Sequence, residues 1–390
     1  MLYVFAALAQ QAAPYTVADG VFNRAQPDLG LQRAPGTQTI TVFAPDAASD
    51  KFSNGVVLMP FKGRLYAQWQ SSPVDEDSQD TWVAYAVSED GKSWSRPRAL
   101  AGAGSGTRMH SNGGWWTDGK LLVAYLNVWP QGFQSGMGGY AEYLQSSDGE
   151  HWSAPRRVTG QNGVPIEGII EQDPRALPGG RIVTAFHLQP GMRVAPFYTD
   201  DALGISGWTR GAFVNLPYQG RESRELEPSW FARGNCLVMV FRDQAPTYRQ
   251  LAAQSCDAAA TWSAPVITNM PDARAKQSAG NLPDGTAFLV NAPNTDKPRI
   301  PLAITLSADG KVFDRAFLLR GRSDLQPLRY AGKYKRPGYH YPKSVLWRDH
   351  LYVGYAANKE DVQLTRIPIR ELGVNGQGAV HGNDKDHGDN

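Results

Sequence analysis

Apolar residues along this chain cluster in short runs bounded by turn residues, and no helical periodicity intervenes between them. One set of runs opens on glycine at residues 63–69, 119–125, 180–186 and 234–241. Further runs lie at residues 81–87, 140–145, 249–254 and 300–306. Each is rich in β-branched and aromatic residues and short enough for a strand, so the pattern predicts an all-β fold. The later runs each lead into a more specific segment. Ser88-Glu89-Asp90-Gly91-Lys92-Ser93-Trp94, Ser146-Ser147-Asp148-Gly149-Glu150-His151-Trp152, Ser255-Cys256-Asp257 with Trp262, and Ser307-Ala308-Asp309-Gly310 with Phe313 are versions of one turn. Thr199-Asp200-Asp201, with Gly204 and Trp208, is a fainter copy. Asp and Ser side chains bond backbone N–H groups just ahead of them, Gly supplies positive φ, and the aromatic folds back into the core.

The aspartates at 90, 148, 201, 257 and 309 recur at intervals of 52 to 58 residues. Such a period marks an array of like units, and four short strands per period match a propeller blade. Units open near Phe52, His110, Glu171, Glu227, Gln277 and Tyr341, giving six four-stranded antiparallel blades. The last unit, with runs at 341–347, 350–356 and 362–369, is one strand short. The isolated run at 37–43 is expected to supply that strand and close the ring. Seven blades, the alternative, would need four strands before Phe52.

Composition narrows the function. The net charge of +2 gives no electrostatic case for nucleic acid or a membrane surface, and no run is long enough to span a bilayer. A monomer is expected. Residues 1–14 are read as the remnant of an export signal, although they lack a basic start, which would make the protein secreted or periplasmic. Cys236 and Cys256 fall on consecutive strands where antiparallel pairing brings them opposite one another, either as a bridge or as two free thiols. The tail at 375–390 is rich in Gly, Asp, Asn and His and reads as disordered. Neither a phosphate-cradling glycine loop nor a metal-ligand cluster is present, so no cofactor is expected beyond structural calcium at the carboxylates of 75–80.

The repeated turn resembles the Asp-box of the sialidase superfamily, whose members are commonly six-bladed propellers, and the resemblance covers residues 50–370 within a single domain at 37–370. In that superfamily the boxes lie on the rim, which gives Asp90, Asp148, Asp257 and Asp309 structural roles. The resemblance implies a retaining glycosidase. Gly338-Tyr339-His340-Tyr341-Pro342 matches the stretch that carries the nucleophile, Tyr341, and Leu226-Glu227-Pro228 matches the one that carries its base, Glu227. Asp77 or Asp75 would be the acid/base, with Arg242 and Arg299 holding an acidic group. The chain departs from the pattern where the superfamily places its first arginine. Ser53-Asn54-Gly55 stands there, and a neutral amide does not replace a bidentate guanidinium. A related acidic or neutral sugar is therefore expected rather than sialic acid itself.

A second constellation suits β-elimination from a uronate. His110, flanked by Arg108, opens the second blade, and Tyr341 with His340, Lys335 and Arg336 comes from the sixth. This set, together with Asn358-Lys359-Glu360-Asp361, resembles propeller polysaccharide lyases. Arg175, in Glu171-Gln172-Asp173-Pro174-Arg175, either lines the channel or caps a strand, and His187 reads as a packing residue. The third reading is a glycan-binding propeller without catalysis. All three take an oligo- or polysaccharide as partner.

Overall fold

The computed structural model describes residues 12–102 and 108–373, so residues 1–11 of the export segment and the whole tail at 375–390 lie outside the described residues. The ring has six blades, not seven. From the axis outward, blade one runs Phe52–Phe61, Arg64–Ser72, Trp82–Ser88 and Arg98–Ala101. Blade two runs Met109–Thr117, Leu122–Trp129, Tyr140–Ser146 and Arg156–Arg157. In blade three the inner strand is split into Gly168–Ile170 and Arg175–Ala176, both paired with Ile182–Leu188. Blade four begins at Glu225–Arg233 and blade five at Ser278–Asn281. Blade six is Tyr339–Trp347, His350–Ala357 and Asp361–Pro368, completed by Gln38–Phe43 from the other end of the chain. The expected closing strand is thus present.

The boxes perform as their residues dictate. Asp90 accepts N–H bonds from Lys92 and Ser93 at 2.8 and 2.7 Å, while Ser88 accepts one from Gly91 at 2.8 Å. These backbone bonds hold the carboxyls of Asp90 and Asp148 well below the ordinary range. In blade three Asp201 bonds Leu203, Ile205 and Ser206, so the faint copy is a working turn. In blade four alanines stand where other boxes have glycine, and Ala258 and Ala259 adopt φ of 56° and 72°. Cys236 and Cys256 are joined by a disulfide.

Each interblade gap is filled by apolar side chains from two sheets. The seam between first and last blades is one cluster that includes Val56, Leu58, Tyr352, Val362 and Leu364. One element was not anticipated. Thr16–Val17 pairs in parallel with Val312–Phe313, and Tyr15 packs between blades four and five against Phe231 and Phe313.

Candidate functional site

Four inner strands share an irregularity near the same end, that of blade two falling between Asn112 and Gly114. In blade one the register slips between Asn54 and Val57, in blade four between Leu226 and Ser229, and in blade six between His340 and Lys343. An extra residue in one strand leaves the ladder and re-aims its side chain. The residues extruded in blades one, four and six are Gly55, Glu227 and Tyr341, with φ of 69°, 53° and 54°. Left-handed backbone at a bulky residue costs energy and persists only where its surroundings over-determine it. For Glu227 those surroundings are explicit. Its N–H donates to His187 Nε2 at 3.2 Å, its carbonyl accepts from Gln277 Nε2 at 2.9 Å, and its Oε2 lies 3.1 Å from Arg242 Nη1.

A cavity of about 440 Å³ opens at this end of the ring, with Glu76, Asp77, Glu227, Lys276 and Tyr341 in its wall. Tyr341 is ringed by cations. Arg299, Lys276 and Lys359 lie 5.2, 5.4 and 5.8 Å from its ring centre. Burial, with Glu227 and Glu76 nearby, outweighs Arg299 and Arg242 and pushes the phenol above its usual range, so it is protonated at rest. Glu227 goes the other way. Burial raises it, but Arg242, Lys276 and Arg299 together pull it down to about 2. Asp77, at φ 63°, differs from both: burial and the neighbouring Glu76 raise its carboxyl to about 7, and Gln134 Nε2 donates to it at 2.8 Å. A carboxyl at that value is poised to give and take a proton near neutrality.

The cations behind this wall are fixed. Arg299 Nη1 bonds His340 Nδ1 at 3.0 Å, and His340 Nε2 bonds the Arg336 carbonyl at 3.0 Å. Burial and Arg299 push His340 well below its normal value, so it is neutral, donating from Nε2 and accepting at Nδ1. His340 thus orients Arg299 rather than facing the cavity, while the Arg336 side chain is exposed to solvent. His187 does the same for Glu227. Burial keeps it neutral, its Nε2 accepts, and its Nδ1 faces Glu171 Oε2 at 3.7 Å.

The other residues singled out from sequence sit elsewhere. Of the two candidate acids, Asp75 is tied up, accepting N–H bonds from its neighbour Glu76 and from Tyr334 in the segment leading into blade six, which leaves Asp77 in the cavity. His110 is outside it. Met109 and Ser111 face the cavity, and the alternation of the strand turns His110 toward Arg108 and the Gly102 carbonyl. Arg108 pairs with Glu142 at 3.3 Å. Arg175 stacks on Trp230 at 4.1 Å and pairs with Asp173 at 3.3 Å, the strand-capping alternative. Lys335 is buried, donating to the Lys51 carbonyl at 2.6 Å. Asn54 is fully buried and donates to Glu76 Oε1 at 3.0 Å.

Sequence reasoning missed Lys276 and Glu76. Lys276 Nζ lies 2.6 Å from Glu171 Oε1 and 2.8 Å from Gln172 Oε1. A lone lysine between Ala275 and Gln277 carries no motif, and only the closed ring brings it to Tyr341. Among the described residues no group of three or more His, Cys, Asp or Glu is placed to hold a metal ion.

A six-bladed ring with box turns on its rim and a phenol, several carboxyls and several cations at one end of its axis defines the sialidase-like class of propeller. The chain belongs to the BNR repeat-like family, whose sequence profile matches residues 63–353. No curated protein matches it in sequence. Among solved structures it is similar to a sialidase, at 16% identity and TM-score 0.65, covering 92% of this chain and 35% of the other. The chain therefore spans about a third of that protein's length. The intramolecular trans-sialidase from Ruminococcus gnavus, in complex with oseltamivir carboxylate, is similar at 14% identity and TM-score 0.65, covering 88% of this chain and all (100%) of the other. A Dyadobacter fermentans protein of unknown function is similar at 16% identity and TM-score 0.63, covering 86% and 100%. At such identities the likeness is one of fold.

Proposed function

We propose that the protein is a retaining glycoside hydrolase in which Tyr341 is the nucleophile, Glu227 its base and Asp77 the acid/base. The observation that carries this is the convergence of Tyr341, Glu227 and Asp77, all three at strained positive φ, on one cavity. Tyr341 Oη attacks the anomeric carbon and passes its proton to Glu227, while Asp77 protonates the departing glycosidic oxygen. Asp77, now ionised, takes a proton from water, whose oxygen displaces the tyrosyl group, and the proton on Glu227 returns to Tyr341.

A resting Glu227 clamped by Arg242 is a weak base. An acidic substrate that engages Arg242 or Arg299 loosens that clamp and raises the carboxylate's proton affinity when it is needed. The cations around Tyr341 support an acidic glycan or oligosaccharide, and a phenol avoids setting a free carboxylate nucleophile against it. The Cys236–Cys256 bridge supports an oxidising, secreted or periplasmic setting.

Incubation with sialylated, uronate-containing and neutral oligosaccharides tests the reading. Release of reducing sugar with retained anomeric configuration, lost in Tyr341→Phe, is expected. An ultraviolet-absorbing unsaturated product would instead indicate elimination, a reading that the position of His110 outside the cavity disfavours. Binding without cleavage would leave a lectin-like propeller.

A further inference from the structure

Resting on the glycosidase reading, the region beside Gly55 says more about the sugar. The extruded position of blade one carries no side chain. A Cβ at Gly55 would meet Asn112 Oδ1 at 2.8 Å and Gln172 Nε2 at 3.0 Å, so no cation can be carried there without repacking. The group facing the cavity beside it is a carboxylate. Glu76 lines the same wall as Tyr341 and Asp77, and it is locked by Asn54 Nδ2 at 3.0 Å on one oxygen and by Lys359 on the other. An ion-paired carboxylate offers acceptors only. Its charge is felt at both reacting groups, since Glu76 is among the causes raising Tyr341 and Asp77.

We infer that Glu76 sets substrate class: it accepts a hydrogen bond from the hydroxyl next to the anomeric carbon, and it excludes glycosides that bear a carboxylate on that carbon. A group attached to the anomeric carbon must lie close to Tyr341 Oη when the bond forms, and so close to Glu76. A carboxylate there meets like charge on the largely buried Glu76. A ring hydroxyl at the adjacent carbon meets an acceptor, in an interaction that strengthens as oxocarbenium character develops. The substrate is then an aldoside with a free 2-hydroxyl, any acidic group being carried elsewhere on the ring within reach of Lys276 or Arg299.

The test uses the whole chain with 4-nitrophenyl hexopyranosides and hexopyranosiduronic acids of both anomers, their 2-deoxy counterparts, and 4-nitrophenyl N-acetylneuraminide. Cleavage of an aldoside but not of the neuraminide is expected. Glu76→Gln should lower kcat about 10- to 100-fold more on the 2-hydroxy substrate than on its 2-deoxy counterpart, with little change in KM. Because Glu76→Gln strands a buried ammonium, Glu76→Gln/Lys359→Gln, which removes both charges at near-constant volume, is measured alongside it and should show the same split. Equal losses on both substrates would reduce Glu76 to a structural residue and overturn the inference. Neuraminide turnover matching or exceeding that of every aldoside, yet abolished by Tyr341→Phe, would overturn it while the glycosidase reading stands. Failure to cleave any of these glycosides would overturn both.

Discussion

Glu227 and Tyr341 occupy the same structural position in blades four and six: each is the extruded residue of an inner-strand bulge, each is followed by proline, and their φ angles are 53° and 54°. The ring therefore presents the proposed base and nucleophile by one backbone device used twice. Proline suits the next position because it has no N–H to leave unpaired where the ladder is interrupted.

The raised carboxyl of Asp77 fixes a pH profile. Bond cleavage needs it protonated, so kcat/KM for a glycoside with a poor leaving group should fall as pH rises through about 7, approaching tenfold per pH unit. The fold favours the protonated form, so this residue's contribution to stability is lost between its ordinary carboxyl range and about 7. Asp77→Asn should thus melt higher than wild type at pH 8, measured by calorimetry, and no higher at pH 4. A profile flat from pH 5 to 9 would remove Asp77 as the acid.

In the proposed mechanism His187 acts only through Glu227, whose N–H bond it accepts. Replacing it by alanine leaves the Glu227 N–H unpaired and is expected to cost about 1 to 3 kcal/mol of stability. Glutamine, which can still accept that bond, should restore much of kcat. If His187→Gln were as impaired as His187→Ala, the ring nitrogen's role as acceptor would be wrong.

Ala258 is exposed and held at φ 56° in the blade-four box, where glycine meets no steric penalty. Ala258→Gly should stabilise the protein by about 1 kcal/mol, read from denaturant midpoints, with activity unchanged.

The disulfide closes a loop with a sequence separation of 20, which corresponds to about 3 kcal/mol of stabilisation. Cys236 lies roughly 20 Å along its strand from Arg242. Reduction should therefore lower the melting temperature without altering KM, and a shift in KM would show that the hairpin end communicates with the cavity.

Much of the ring was legible because its signals are local. A box turn needs only Ser, Asp and Gly in a row, and the strand count exposed the missing strand at 37–43. Glu227, Arg242, Arg299, Tyr341 and Asp77 were reached by likeness to a superfamily, and the structure gathers them around one end of the axis. Strand alternation decided against His110: its neighbours Met109 and Ser111 take the cavity side. Lys276 and Glu76 had no local signature, since their meaning comes from partners about 100 to 280 positions away in the chain. The parallel strand at Thr16–Val17 was hidden for the same reason, being too short to carry a period.

The seam closed by Gln38–Phe43 runs between the blade that bears Asp77 and the blade that bears Tyr341. Asp77 and Tyr341 thus share one cavity only while Gln38–Phe43 stays fastened to the last blade. Force or proteolysis that unclasps this joint would part those two side chains first, and the proposed activity would be lost while most of the sheets are still intact.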